Sequence, residues 1–246
     1  MIKKHIPNFI TTLNVLCGSI AVVFILKGAL TTAVLLILFA AVFDFLDGMS
    51  ARVLKAYSPV GKELDSLADV ISFGLAPGLI MYKLLNTSMF NENVIPDLQS
   101  NLTLIQLLTV GSAFLIPVFS ALRLAKFNVD ERQTTSFIGL PTPANALFIC
   151  SLALIQEHGT IPAIDNFILT TPVLVVITLL FSWLLVSEIP MFSLKFKNLS
   201  WKQNQVQYIF IICSVLLIAF LQLYGVTAVV LLFIAISVIN NYTRKK

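Results

Sequence analysis

Residues 44–52, D-F-L-D-G-M-S-A-R, and residues 61–69, G-K-E-L-D-S-L-A-D, place four carboxylates inside an otherwise apolar sequence. An unpaired carboxylate at the centre of a bilayer costs roughly 2.5–3.5 kcal/mol. Four of them would cost on the order of 10 kcal/mol, which is too much for residues without a role. The stretch therefore predicts buried acids whose charge is compensated by a bound group.

The spacing of these acids predicts two helical faces that meet. Asp44 and Asp47 are three residues apart, and Asp65 and Asp69 are four apart, so each pair shares one face of a helix. Residues 58–59, Ser-Pro, favour the start of a new helix between the pairs. At about 1.5 Å per residue, an antiparallel arrangement brings all four carboxylates to a similar depth.

The same stretch carries the residue types that bind a metal and a phosphate. A cluster of oxygen ligands suits Mg²⁺, Mn²⁺ or Ca²⁺, and the absence of His and Cys from the stretch argues against zinc. Arg52 can bind phosphate with two hydrogen bonds. Gly48, Ala51 and Gly61 are small enough for a ligand or a neighbouring helix to approach. Together they indicate phosphoryl-type transfer.

The composition predicts an all-α polytopic membrane protein. The 246 residues are 58% hydrophobic and only 11% charged, and the mean hydropathy is +0.93. We expect one integral membrane domain over residues 1–246, with a catalytic core at about 7–187 and two additional spans at about 205–241. The eight predicted spans are 8–27, 31–55, 59–85, 102–122, 139–155, 167–187, 205–223 and 226–241.

The distribution of basic residues predicts the orientation of these spans. Of the 16 Lys and Arg residues, all but Lys27 and Lys83 fall on one side, which the positive-inside rule makes the cytoplasm. Both termini are then cytoplasmic, and the acids lie in the cytoplasmic half of the cell membrane. Because the basic residues lie at span ends, we expect no nucleic-acid partner.

The pattern D-x2-D-G-x2-A-R-x8-G-x3-D-x3-D, complete from Asp44 to Asp69, resembles the signature of the CDP-alcohol phosphotransferases. The resemblance implies a homodimer that uses a CDP-activated lipid and releases CMP. It assigns divalent metal ions, Mg²⁺ or Mn²⁺, to the four aspartates and gives Asp69 the additional role of base. It also implies a site for the CDP-lipid at Asn8, Thr11, Asn14, Gly48, Ala51, Arg52, Ser58 and Gly61.

Other segments bear on the acceptor. Residues 73–78 (F-G-L-A-P-G), 123–128 (R-L-A-K-F-N) and 137–146 (F-I-G-L-P-T-P-A-N-A) resemble the phosphatidylserine synthases of that family, although Lys126 stands where many members have Arg. The resemblance implies that CDP-diacylglycerol and L-serine are the substrates. The carboxylate of serine would bind Arg123 or Lys126, with Asn128 nearby.

Alternative interpretations remain at this point. The acceptor of the same reaction could be glycerol 3-phosphate or inositol, and Arg123 and Lys126 could serve topology alone. The polar face of Asn8, Thr11 and Asn14 could be ordinary helix-start polarity. A cation-coupled transporter also keeps carboxylates in the membrane, but such proteins tend to contain inverted repeats, and this sequence has no convincing repeat.

Overall fold

The computed structural model describes residues 5–90, 102–130, 137–192 and 200–244. The basic segments on which the predicted orientation depends lie partly outside these residues. Helices α1 to α6 span His5–Leu26, Leu30–Val53, Pro59–Asp69, Ala76–Phe90, Leu104–Gly111 and Leu115–Val129. Helices α7 to α11 span Thr142–His158, Pro162–Ile168, Thr171–Val186, Gln205–Leu221 and Leu223–Arg244. Strands β1 and β2 span Phe137–Ile138 and Pro190–Met191.

The helices bear out the prediction of an all-α membrane protein. Within the described residues, five helical segments are long and apolar enough to cross a membrane: α1, α2, the α3–α4 unit, the α5–α6 unit and α11. A sixth is obtained if α8 and α9, which are bent by 61° at their junction, count as one span. Helices α7 and α10 lie in the ranges of the other two predicted spans, but with 17 residues each they are too short to count among these membrane-spanning candidates.

The third span begins where the sequence predicts. The hydroxyl of Ser58 accepts a hydrogen bond of 2.9 Å from the backbone N–H of Gly61, and Pro59 occupies the first turn. The sequence did not predict the type of helix inside this span. Residues Val70–Leu75 form a π-helical segment between α3 and α4, and the backbone N–H of Ala76 bonds to the carbonyl of Ile71, five residues earlier.

Small residues allow this π-helical segment to pack closely between α1 and α6. A Cβ atom built at Gly18 in α1 would lie only 2.9 Å from the Cα of Ser72. At Gly74 it would lie 3.1 Å from the Cβ of Ser120 in α6. Close approach of backbones at small residues is typical of helix packing in membranes. The segment that follows Asp69 is therefore held on both sides.

Two short strands fasten the loop before α7 to the end of α9. Strands β1 and β2 pair antiparallel, with Ile138 opposite Pro190. Gly139 has a φ of +77°, and its N–H donates to the carbonyl of Ile189 at 2.9 Å. The N–H of Leu140 donates to the carbonyl of Leu184 at the same distance. These hydrogen bonds hold the backbone of residues 137–140, which lead into α7, against the C-terminal end of α9.

The N-terminus of α2, at the other end of this helix from Asp44 and Asp47, is capped by a residue distant in sequence. The carboxylate of Glu157, near the end of α7, accepts hydrogen bonds from the N–H groups of Leu30 (3.1 Å) and Thr31 (2.9 Å). A carboxylate at a helix N-terminus satisfies unpaired donors and complements the helix dipole. Leu30 precedes Asp44 by about 21 Å along α2 at 1.5 Å per residue. Glu157 therefore stabilises the fold far from the aspartates.

The last two helices form a tight hairpin. The turn is at Gln222, with a φ of +49°, which lies within the predicted span 205–223 and before the predicted gap at 224–225. Gly225 instead lies in α11, where a Cβ atom would approach the Cα of Ile218 to 2.6 Å. Helix α11 packs on α7, and Ser151 and Thr227 share a hydrogen bond of 2.7 Å. Helix α10 buries Phe210 and exposes most of its other apolar side chains.

Candidate active site

Three of the four predicted acids form a compact cluster. One carboxylate oxygen each from Asp44, Asp47 and Asp65 lies within 4.8 Å of the other two. The carboxylates of Asp44 and Asp65 therefore lie close together, although they come from different helices, α2 and α3. Asp47 is 5% exposed, and the other two are partly buried. The antiparallel arrangement predicted from the spacing therefore brings these acids together.

The cluster fits a divalent cation. Asp47 Oδ2 and Asp65 Oδ1 are buried and have no hydrogen-bond partner among the described residues, and the same holds for Asp69 Oδ1. Buried carboxylate oxygens without a partner are costly unless a cation balances them. A donor set made only of carboxylate oxygens suits hard ions such as Mg²⁺, Mn²⁺ or Ca²⁺. The residues present therefore fit the predicted metal.

Asp69 lies beside the cluster and is not one of its three members. It is 8% exposed and interacts electrostatically with Asp44 and Asp65 and also with Arg123. The family resemblance implies that Asp69 is both a metal ligand and a base. Asp69 thus interacts with both the carboxylate cluster and the buried Arg123, and its Oδ1 has no hydrogen-bond partner among the described residues.

The predicted CDP-lipid residues divide into two groups. Members of the first contact the cluster, border open space or are buried without a partner among the described residues. The hydroxyl of Thr11 contacts Asp47 and bonds to the carbonyl of Pro7. The side-chain amide of Asn14 is fully buried and has no partner among the described residues. A Cβ atom built at Gly48 would have no heavy atom within 4 Å. The exposed Arg52 bonds through Nε to the carbonyl of Gly48 at 3.0 Å.

The second group serves the packing of α1 on α3. Ser58 caps α3, and a Cβ atom at Gly61 would lie 2.7 Å from Asn8 Oδ1. Gly61 therefore admits the side chain of Asn8 to the first turn of α3. The carbonyl of Ala51 accepts a hydrogen bond from the N–H of Ala56, which helps to close the α2–α3 turn. These contacts explain four of the predicted residues without a ligand.

Arg123 connects the acids to a cavity. Its side chain is buried, its Nη1 lies 3.5 Å from Thr142 Oγ1, and its Nε has no partner in the described parts of the chain. Arg123 and Lys126 both line a cavity of about 290 Å³ near the junction of α6, β1 and the end of α9. The predicted acceptor cations therefore share one cavity, and the deeper of them interacts with Asp69.

Asn128 has a different environment from the one predicted. It is not among the residues that line the cavity. Its amide donates to Ser66 Oγ at 2.9 Å, and its backbone carbonyl accepts a hydrogen bond from Lys62 Nζ at 2.9 Å. Both partners belong to α3. Asn128 thus joins the end of α6 to the helix that carries Asp65 and Asp69.

The cavity contains residues that the sequence did not single out. Asp130 follows α6, and Ser187 and Glu188 follow α9. A signal existed for Glu188, because it is an acid at the end of predicted span 6, on the same side as the aspartates. No motif points to it, and only the packing of α9 beside α6 brings it to Arg123 and Lys126.

Comparisons with known proteins agree with this arrangement. The family described as CDP-alcohol phosphatidyltransferase matches residues 4–186. A Bacillus subtilis protein named CDP-diacylglycerol–serine O-phosphatidyltransferase is 34% identical over 140 residues, which are 57% of this chain and 70% of the relative. A Methanocaldococcus jannaschii protein of the same name is 36% identical over 144 residues, 58% of each chain.

A Mycobacterium leprae protein, also of that name, is 33% identical over 160 residues, which cover 61% of this chain and 47% of the relative. The matches thus span from about half to just over two thirds of these relatives. The family match covers most of the chain, including α1 to α9 and every acid of the cluster. This chain belongs to the CDP-alcohol phosphatidyltransferase family.

Proposed function

We propose that this protein transfers the phosphatidyl group of CDP-diacylglycerol to the hydroxyl group of L-serine, giving phosphatidylserine and CMP. The observation that carries the proposal is that Asp69 interacts both with the three-carboxylate cluster and with Arg123, which lines a cavity. The names of the relatives support serine as the acceptor. Membership of the family supports the transfer from a CDP-activated lipid.

A divalent ion, Mg²⁺ or Mn²⁺ with Ca²⁺ as a further candidate, would be held by Asp44, Asp47 and Asp65, with Asp69 adjacent. When bound, it would neutralise the diphosphate and stabilise the leaving CMP. The open face at Gly48 leaves room for the diphosphate beside the cluster. Arg52, exposed at the same turn of α2, supplies a guanidinium for phosphate oxygens. Thr11 and Asn14 offer polar groups from α1.

Asp69 would act as the general base. Its unpaired oxygen takes the proton of the serine hydroxyl as that oxygen attacks the phosphorus bearing the diacylglycerol. The new bond joins the serine oxygen to this phosphorus, and the bond from the phosphorus to the bridging oxygen breaks. CMP leaves with that bonding electron pair. The proton remains on Asp69 until it passes to water.

Arg123 and Lys126 would bind the carboxylate of serine. Arg123 is buried, and its guanidinium suits a carboxylate because two N–H groups can bond to two oxygens. Lys126 is exposed and lies on the same face of α6, one turn later. Asn128 would act indirectly, because it holds α6 to α3. Serine bound to Arg123 would lie near Asp69, because Arg123 interacts electrostatically with Asp69.

The orientation and assembly of the protein are part of the proposal. We propose eight spans in the cell membrane, with α7 and α10 completing the set, both termini in the cytoplasm and the active site open to it. The excess of Lys and Arg on that side supports this orientation. One integral domain would contain the catalytic core at about 7–187 and two further spans at about 205–241. A homodimer is the expected assembly.

The reaction can be tested by CMP release from CDP-diacylglycerol with purified protein, adding serine, glycerol 3-phosphate or inositol in turn with Mg²⁺ or Mn²⁺. We expect metal-dependent release with serine. Asp69→Asn should abolish it while the thermal unfolding curve stays cooperative. Glu63→Gln is the matched control, because Glu63 is an exposed acid on the same helix. Normal turnover by Asp69→Asn would refute the role of Asp69.

Release with another acceptor would keep the aspartate site but refute serine as the substrate. A folded protein that releases CMP with none of the acceptors would favour the cation-coupled transporter instead. Uptake of the candidate cation into vesicles containing the protein would then be the measurement.

A further inference from the structure

The cavity beside Arg123 contains charges of both signs. Arg123 and Lys126 contribute cationic groups from α6, and Asp130 and Glu188 contribute carboxylates. A cavity that served a phosphorylated acceptor would gain from cations alone, since a carboxylate repels phosphate. A neutral polyol needs neither sign. Two cations with two carboxylates match a zwitterion, such as the ammonium and carboxylate of a free amino acid.

The backbone around Glu188 is held in place on both sides. Before it, the hydroxyl of Ser187 donates to the carbonyl of Leu184 at 2.9 Å. After it, the carbonyl of Ile189 accepts the N–H of Gly139 at 2.9 Å, and β2 begins at Pro190. A side chain on such a fixed segment is pre-organised for a ligand, which lowers the entropic cost of binding.

Asp130 is in a different position. It caps the end of α6 and lies four residues after Lys126, so the two side chains are neighbours on one helix. Glu188 instead comes from α9, across the cavity from α6. Of the two carboxylates, Glu188 therefore lines the cavity from a different element than Arg123 and Lys126. A serine molecule held between α6 and the end of α9 would place its two charged groups on opposite walls.

We propose that Glu188 binds the ammonium group of the acceptor and is thereby a residue that selects an amino acid over other alcohols. The assignment rests on the proposed transfer to serine. Residue 188 lies just beyond the part of the chain that matches the family, residues 4–186. Selectivity for the ammonium is thus supplied by a segment outside the catalytic core that the family shares.

The test compares L-serine with glycerate, which carries a hydroxyl in place of the ammonium. KM and kcat for each acceptor are measured by CMP release for the wild type, for Glu188→Gln, for Asp130→Asn as the other cavity carboxylate, and for Glu63→Gln as the control, because Glu63 is an exposed acid that does not line the cavity. We expect Glu188→Gln to raise the KM for serine at least tenfold and to leave the KM for CDP-diacylglycerol unchanged. The preference for serine over glycerate should fall by a similar factor, and Glu188→Asp should restore part of it.

The outcomes distinguish a failure of the proposed role of Glu188 from a failure of the proposed transfer to serine. A wild-type protein that releases CMP with glycerol 3-phosphate and not with serine would overturn the proposed function and the role of Glu188 together. Use of serine by the wild type, with an unchanged preference in Glu188→Gln, would overturn the role of Glu188 alone. So would an equal or larger loss of preference in Asp130→Asn. Thermal unfolding of each variant shows whether a loss of activity is caused by poor folding. Poor folding would lower the activity with serine and with glycerate equally and would leave the preference for serine unchanged.

Discussion

Gly48 offers a sharp test of where the diphosphate binds, because substitution there should separate stability from activity. A Cβ atom at Gly48 would meet no heavy atom within 4 Å, so Gly48→Ala creates no clash in the protein. Alanine is the better helix former, and Gly48 lies inside α2. We therefore expect the free energy of unfolding to rise by about 0.5–1 kcal/mol.

Activity should move in the opposite direction. The added methyl group occupies the open face beside Asp47, where the proposal places the diphosphate. Displacement of a reacting group by about 1 Å can cost about 100-fold in rate. We expect kcat/KM for CDP-diacylglycerol to fall by about 10- to 100-fold, or about 1.4–2.7 kcal/mol of transition-state stabilisation.

The assay is CMP release at varied CDP-diacylglycerol and saturating serine, with thermal unfolding measured in the same detergent. Gly111→Ala is the matched control, since Gly111 is also helical and a Cβ there would meet nothing within 4 Å. Gly61→Ala provides the contrast, because a methyl group there would lie 2.7 Å from Asn8 Oδ1 and 2.9 Å from Ser58 Oγ. That variant should lose stability. Wild-type kcat/KM in a folded Gly48→Ala protein would refute the placement of the diphosphate.

Two further substitutions test the supports of the site. Gly139→Ala should lower the free energy of unfolding by about 1–3 kcal/mol, because its φ is +77° and the Cβ would lie 3.1 Å from the carbonyl oxygen of Ser187; wild-type thermal stability would contradict this. Glu157→Ala should lower the free energy of unfolding by about 1 kcal/mol, because it removes the cap at the N-terminus of α2. We expect kcat to stay within twofold of the wild type. A tenfold loss of kcat without loss of stability would show that the N-terminus of α2 affects catalysis.

The sequence was informative wherever a feature depends on neighbouring residues. The start of α3 at Ser58 follows from the cap and the proline, and the clustering of Asp44, Asp47 and Asp65 follows from helical spacing and one turn. Both are local rules of helix geometry. Composition alone predicts a membrane protein, because 11% charged residues are too few to cover the surface of a soluble domain.

Features that depend on contacts between distant residues were beyond such rules. Asn128 is close to Arg123 in sequence, which suggested a shared site. In the structure α3 lies beside the end of α6, and the side-chain amide of Asn128 donates a hydrogen bond to Ser66 Oγ instead. Glu188 lines the cavity because α9 packs beside α6 and because the pairing of β2 with β1 fixes the end of α9. The π-helical segment was hidden for a similar reason, since its small residues are explained by packing against α1 and α6.

The π-helical segment also makes the number of residues in this span critical. An α-helix turns by about 100° and advances about 1.5 Å per residue. Removing one residue between Val70 and Leu75 could restore α-helical bonding, but Asp65 and Asp69 would then rotate by about that angle relative to α4. Insertions and deletions in this hexapeptide should therefore be far more damaging than conservative substitutions. The length of the span is a constraint on the site in the same way as its carboxylates.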